Sequence, residues 1–90
     1  VSRERFEDRY GEEWQRFARL LDGLEARRGR RPAATALPVL YRRLCHHLAL
    51  VRERRYGVDL EQHLNRLALR GHQQLYRAEA LSWRRIAHFL

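Results

Sequence analysis

The sequence has no lysine, no methionine, one cysteine and only two prolines in its 90 residues. Each shortage excludes something. A single cysteine, Cys45, leaves no partner for an intrachain disulfide, and a reducing compartment fits best. Without methionine, a chain that opens on Val1 is expected to be a piece of a longer one. All 19 basic residues are arginine, which points to GC-rich coding and not to a physical need. No apolar run approaches the roughly 18 residues that span a bilayer, and no secretory signal pattern is present. Gly29-Arg30-Arg31-Pro32 has no strand before it and so is no phosphate loop, and there is no CxxC, HxxxH or HExxH.

What remains is 44% apolar and 33% charged, a composition that is neither disordered nor collagenous. It suits one small domain with a modest core. Phe6, Tyr10, Trp14, Phe17, Leu21 and Leu24 recur at steps of three and four, the stripe of an amphipathic helix. Ser2 can cap it. Gly11 and Gly23 each weaken it, or permit a neighbour to pack closely. Residues 29–36 form the break, with Gly29 suited to a helix end and Pro32 forbidding continuation. A second helix is predicted from near Leu37, with Pro38 in its first turn and the stripe Leu37, Leu40, Tyr41, Leu44, Leu48 and Val51. Gly57 is expected in the left-handed position that ends it. Asp59, with Gln62 three residues on, reads as the capping box of a third helix. Its stripe is Leu60, Leu64, Leu67, Gly71 and Leu75. Gly71 marks either a tight helix crossing or a glycine with no packing role. Residues 76–82 read as a continued helix or as a break. With Ser82 as a cap, a short fourth helix carries Trp83, Ile86, Ala87, Phe89 and Leu90. The predicted fold is all-α: an antiparallel three-helix bundle over residues 1–82, then a short C-terminal fourth helix beginning an amphipathic, juxtamembrane segment over 83–90.

The net charge of +8 is uneven. Residues 1–24 carry −1, residues 25–58 carry +7 and residues 59–90 carry +2, with the density highest at Arg27, Arg28, Arg30 and Arg31. Such a patch is either a solvated helix end or a contact for a polyanion: anionic lipid, nucleic acid or an acidic protein. Nucleic acid is the weaker case, because Asp59 and Glu61 at the start of the third helix repel phosphate.

The groups that would carry chemistry do not converge. Cys45, His46 and His47 are consecutive and splay about 100° apart on a helix. His63 and His72 are half a turn off a common face, although His47 and His63 could meet across helices. Cys45 sits beside Tyr41, Leu44 and Leu48 and reads as a core or near-core cysteine. No catalytic residue, metal ligand or cofactor is assigned, and the chain reads as a non-enzyme.

A longer string carries a resemblance. It runs Leu40-Tyr41-Arg42-Arg43-Leu44-Cys45, Leu48-Ala49-Leu50, Arg54-Arg55-Tyr56-Gly57, Leu64-Asn65-Arg66-Leu67, and Arg70-Gly71-His72-Gln73-Gln74-Leu75-Tyr76-Arg77. With Phe6, Trp14, Leu20 and Leu21 before it and Trp83-Arg84-Arg85 and Phe89-Leu90 after it, it resembles the N-terminal cytoplasmic region of bacterial integral membrane proteins related to stage II sporulation protein M. The resemblance implies a helical head on the cytoplasmic side of the inner membrane, with a scaffold or partner-docking role. The implied partners are other membrane or cell-envelope proteins and the anionic lipid surface, which attracts arginine near membrane segments. Tyr41, Arg42, Arg43, Arg70, His72, Tyr76 and Arg77 match the pattern. In an antiparallel pair, Arg42 or Arg43 is expected near Tyr76 or Arg77, in a polar cluster around Tyr41. The alternative is that these arginines cover the bundle with their stems. Trp83, Arg84, Arg85, Phe89 and Leu90 would form the membrane-proximal edge, where homodimerisation through the apolar residues is also expected. The other reading of the whole chain is a small basic nucleic-acid-binding protein.

Overall fold

The computed structural model describes the backbone of residues 2–26 and 36–89, and the side chains of residues 3–26, 36–78 and Ala87. Arg27, Arg28, Arg30 and Arg31 lie outside the described residues, as do the side chains of Ser2, Trp83, Arg84, Arg85, Phe89 and Leu90. Three helices account for the described backbone: α1 (Ser2–Glu25), α2 (Leu37–Arg54) and α3 (Val58–Phe89).

Each helix buries the stripe that its spacing predicts. Phe6, Trp14, Phe17 and Leu21 of α1 meet Leu37, Leu44, Leu48 and Val51 of α2 and Leu60, Leu64 and Leu67 of α3 in one core. Tyr10, Leu24, Leu40, Tyr41 and Leu75 pack around it half-buried. Each fully buried leucine or phenylalanine contributes about 1.5–3 kcal/mol of apolar burial, so the stripes are what hold the helices together.

The contacts fix the direction of each helix. Arg3 at the start of α1 bonds Asp59 at the start of α3, while Arg70 further along α3 bonds Asp22 and Glu25 in the last turns of α1. These two helices therefore run the same way. Trp14 and Glu13 of α1 meet His47 and Arg43 of α2, and Phe6 meets Tyr56 just beyond α2, so α2 runs against α1. Arg52 of α2 reaches Glu61 and Asn65 of α3, closing the second antiparallel pair.

The turns differ in detail from the expectation. The left-handed residue that ends α2 is Arg55, at φ 54° and ψ 51°, and the Tyr56 N–H donates back to the Val51 carbonyl at 3.1 Å. Gly57 also has positive φ, 127°, but it precedes α3 and its carbonyl accepts from Glu61. Asp59 is inside the first turn of α3 and not its cap; its carboxylate is taken by Arg3.

A larger correction concerns the C-terminal part. α3 runs unbroken through Ser82 to Phe89, and the short fourth helix is not formed. Ala78, Glu79, Ala80 and Leu81 are all good helix formers, and Ser82 alone has no glycine or proline beside it to break the run. The consequence is geometric. Tyr41 meets Gly71, which places the first turn of α2 level with Leu75. Beyond that level Tyr76 is 70% exposed, and residues 78–89 carry α3 about 18 Å further at 1.5 Å per residue.

Gly71 is the tight crossing. A Cβ built there would lie 2.7 Å from Phe17 and 2.9 Å from Tyr41. Gly11 and Gly23 are not crossings, since a Cβ at either meets nothing within 4 Å. Their substitution by alanine is therefore expected to stabilise the protein, by about 0.5–1 kcal/mol each through helix propensity and a more restricted unfolded chain. Thermal unfolding of the two single variants checks this; a lower midpoint for either would mean that its open face is covered.

Candidate functional site

A strongly basic surface lies along the seam of α1 and α2. α1 presents Arg5 and Arg9 one turn apart on the flank toward α2, beside Phe6 and Tyr10. α2 presents Arg42, Arg43 and His46 toward its middle and Leu50 and Arg54 nearer its end. Two recesses result. One, of about 340 Å³, is lined by Arg5, Phe6, Arg9, Tyr10, Leu50, Arg54 and Tyr56. The other, of about 300 Å³, is lined by Tyr10, Arg42, Arg43, His46 and His47. Tyr10 is the wall between them. No carboxylate lines either recess.

Local contacts shape this surface. The Arg9 guanidinium lies 5.4 Å from the centre of the Tyr10 ring, within cation–π range. Arg54 donates to the Tyr56 hydroxyl at 3.1 Å, and this bond raises its pKa above the usual arginine range. The aromatic groups brace the cationic ones, so arginine heads are held at the rim of an apolar floor.

Beneath the second recess is His47, 3% exposed and the one buried polar side chain among the described residues. Its ring stacks on Tyr10 at 4.2 Å between centroids and meets the edge of Phe6. Trp14 Nε1–H donates to His47 Nδ1 at 2.9 Å. Glu13 Oε1 accepts from Arg43 Nε at 2.8 Å, while Glu13 Oε2 lies 3.8 Å from the same His47 Nδ1 and is buried without a partner. Burial holds the His47 pKa below the usual imidazole range; the neighbouring Glu13 works against this, and Arg43 and His46 reinforce it.

The residues singled out from sequence are dispersed. Arg43 turns to Glu13 on α1, and Arg42 joins the recess beside Tyr10. Tyr41 is half-buried against Gly71, its pKa raised by burial and then by a hydrogen bond with Cys45. Arg70 bonds Glu25 with both Nε and Nη2, each at 2.8 Å, and Asp22 at 2.7 Å, which raises its pKa and lowers that of Glu25. It fastens α3 to α1. His72, Tyr76 and Arg77 are exposed on α3. His47 and His63 do not meet: His47 faces α1, and His63 lines a groove between α1 and α3. Among the described residues no group of three or more His, Cys, Asp or Glu is placed to hold a metal ion, and no helix is long and apolar enough to cross a membrane.

Sequence reasoning missed Arg5, Arg9, His46, Arg54, Tyr10 and Tyr56 as a set. The signal was present in the four-residue spacing of Arg5 and Arg9, on one flank of the Tyr10 stripe. Averaging charge over segments concealed it.

No curated protein and no solved structure matches the chain. A family match covers residues 4–77, which takes in most of α1, all of α2 and α3 as far as Arg77. On that match the chain belongs to the family described as Domain of unknown function (DUF8413).

Proposed function

We propose that the chain is a non-enzymatic docking domain, the cytoplasmic head of a bacterial integral membrane protein, resembling stage II sporulation protein M-like proteins. It serves as a scaffold that rests on the anionic lipid surface and engages neighbouring membrane or envelope proteins. One observation carries the reading: the α1–α2 seam aligns Arg5, Arg9, Arg42, Arg43 and Arg54 around Tyr10 with no carboxylate in the lining. The unbroken run of α3 to Phe89 supports it, since a continuous helix is suited to a connection toward a membrane segment.

Arginine near an anionic leaflet contributes about 1 kcal/mol per residue. Cosedimentation with phosphatidylglycerol vesicles, against phosphatidylcholine alone, is the test. Binding is expected only with the anionic lipid and is expected to weaken as salt screens it. Replacing Arg5, Arg9 and Arg54 together by alanine is expected to weaken binding by roughly a hundredfold. Retention of the native gene product in membranes after a high-salt wash checks the setting. Absent vesicle binding, together with salt-steep DNA or RNA binding through the same arginines, would replace this reading by the nucleic-acid one.

A further inference from the structure

The flank of α1 opposite the basic seam is different in kind. It carries Glu7, Asp8, Gly11, Gln15 and Ala18 toward α3, where Asp59, Leu60 and His63 face it. This seam is fastened at both ends. Arg3 bonds Glu7 and Asp59 at one end, and Arg70 bonds Asp22 and Glu25 at the other. Between the fastenings the helices leave a groove of about 530 Å³. Its cause is local: α1 offers Gly11 and Ala18 where a larger side chain would fill the gap, and a Cβ at Gly11 meets nothing within 4 Å. The floor is Trp14, Leu60 and Ala18, so it is apolar and partly aromatic. The rim carries Glu7, Asp8 and Asp59 against Arg3. Arg3 already bonds Glu7 and Asp59, so the rim is net negative and Asp8 is its carboxylate outside that ion-pair cluster.

We infer that this groove is a docking site for a cationic–apolar peptide segment of a partner protein, one that seats a leucine-sized side chain over Gly11 and Trp14 and sets arginine or lysine against Asp8 on the net negative rim. Charge complementarity selects the occupant. The chain as a whole carries +8 and repels cations at long range, so attraction of a cationic segment depends on local carboxylates such as those of this rim. An acidic or neutral apolar segment gains nothing from the carboxylates, and a purely cationic one leaves the Trp14 floor uncovered. The inference does not depend on the lipid reading of the basic seam, which lies on the other flank of α1. Together the two faces would let the domain hold an anionic surface on one side and a basic protein segment on the other.

The test uses Trp14 as reporter in a Trp83→Phe background, titrated with an acetylated, amidated peptide of alternating leucine and arginine. Saturable change in Trp14 emission is expected, with none from the same peptide carrying glutamate for arginine. Gly11→Leu is the decisive variant. It fills the groove from within and adds helix propensity, so its thermal midpoint is expected at or above the parent's while peptide affinity falls at least about tenfold. Asp8→Asn is expected to weaken binding by a few-fold, with the fold unaffected. A silent Trp14, or equal affinity in parent and Gly11→Leu, would overturn the inference. So would concentration-dependent self-association that Gly11→Leu abolishes, which would assign the groove to a second copy of this chain.

Discussion

Gly71→Val is expected to destabilise the protein by about 3 kcal/mol or more, and Gly71→Ala by up to about 2 kcal/mol, although both residues favour the helix over glycine. The helical gain for alanine is about 1 kcal/mol. Against it stands a Cβ placed 2.7 Å from Phe17 Cζ and 2.9 Å from Tyr41 Cδ1, where carbon–carbon contacts prefer about 3.5–4.0 Å. Phe17 is 1% exposed and enclosed by the core, so its ring has no free space to retreat into. Tyr41 is half-buried and packed against the core. Overpacking of this kind costs about 1–3 kcal/mol for one added group, and valine adds two more methyls to the same contact.

Urea unfolding reads the effect as a lower midpoint at unchanged slope. The partner is checked by a double-mutant cycle: Phe17→Leu is expected to recover part of the loss in Gly71→Ala, with a coupling of about 0.5–3 kcal/mol. Gly71→Ala with the parent's midpoint and no coupling to Phe17 would mean that α1, α2 and α3 do not converge at this level.

Much of the architecture was legible because it is periodic. The α1, α2 and α3 stripes named from spacing supply the apolar core, with Tyr10, Leu24, Leu40, Tyr41 and Leu75 half-buried at its margin, since a three-to-four step leaves a helix only one apolar face to cover. The tight crossing at Gly71 was legible as one of two alternatives, and contact with Phe17 decides between them. The ends were less legible. Arg55 takes the left-handed turn two residues before Gly57, the more obvious candidate, because the cost of a non-glycine there is offset by the Tyr56 bond to Val51. Ser82 looked like a cap, but a cap acts only where the chain already departs from helix, and nothing from Ala78 to Leu81 makes it depart.

The candidate site was concealed for a different reason. Over residues 1–24 the charge sums to nearly nothing, yet α1 is divided lengthwise. Arg5 and Arg9 face the α2 seam, while Glu7, Asp8, Asp22 and Glu25 face α3. A sum along the chain cannot register a division around the helix. The division also explains how α1 finds its neighbours. Its acidic flank meets Arg70, its basic flank leaves Glu13 alone to receive Arg43, and the apolar stripe between them fills the core. The buried polar pair Trp14 and His47 was not legible at all, because one residue was counted as core and the other as one of three consecutive chemical groups.

Acidification from pH 7 to about 5 is expected to lower stability through His47. Its neutral ring accepts from Trp14 Nε1–H on Nδ1, so the ring proton is on Nε2. A second proton must go to Nδ1, where it breaks the 2.9 Å bond and strands the indole N–H in the core. The new N–H would turn to Glu13 Oε2, 3.8 Å away, so Glu13 returns part of the loss, while Arg43 and His46 on α2 oppose the added charge. Burial dominates and the folded pKa is lowered. Between that value and the unfolded value of about 6.5 the unfolded chain binds the extra proton, so stability is present above pH 6.5 and lost as pH falls, by at most about 1.4 kcal/mol per unit. Asp59 and Glu25 also have lowered values, but their losses begin nearer pH 4, which leaves the upper window to His47. His47→Leu is expected to remove that slope while costing about 1–3 kcal/mol for the unpartnered Trp14 donor. Adding Trp14→Phe removes the donor too and is expected to restore most of that loss. A His47→Leu variant that keeps the parent's slope between pH 7 and 5 would assign the acid sensitivity to another group.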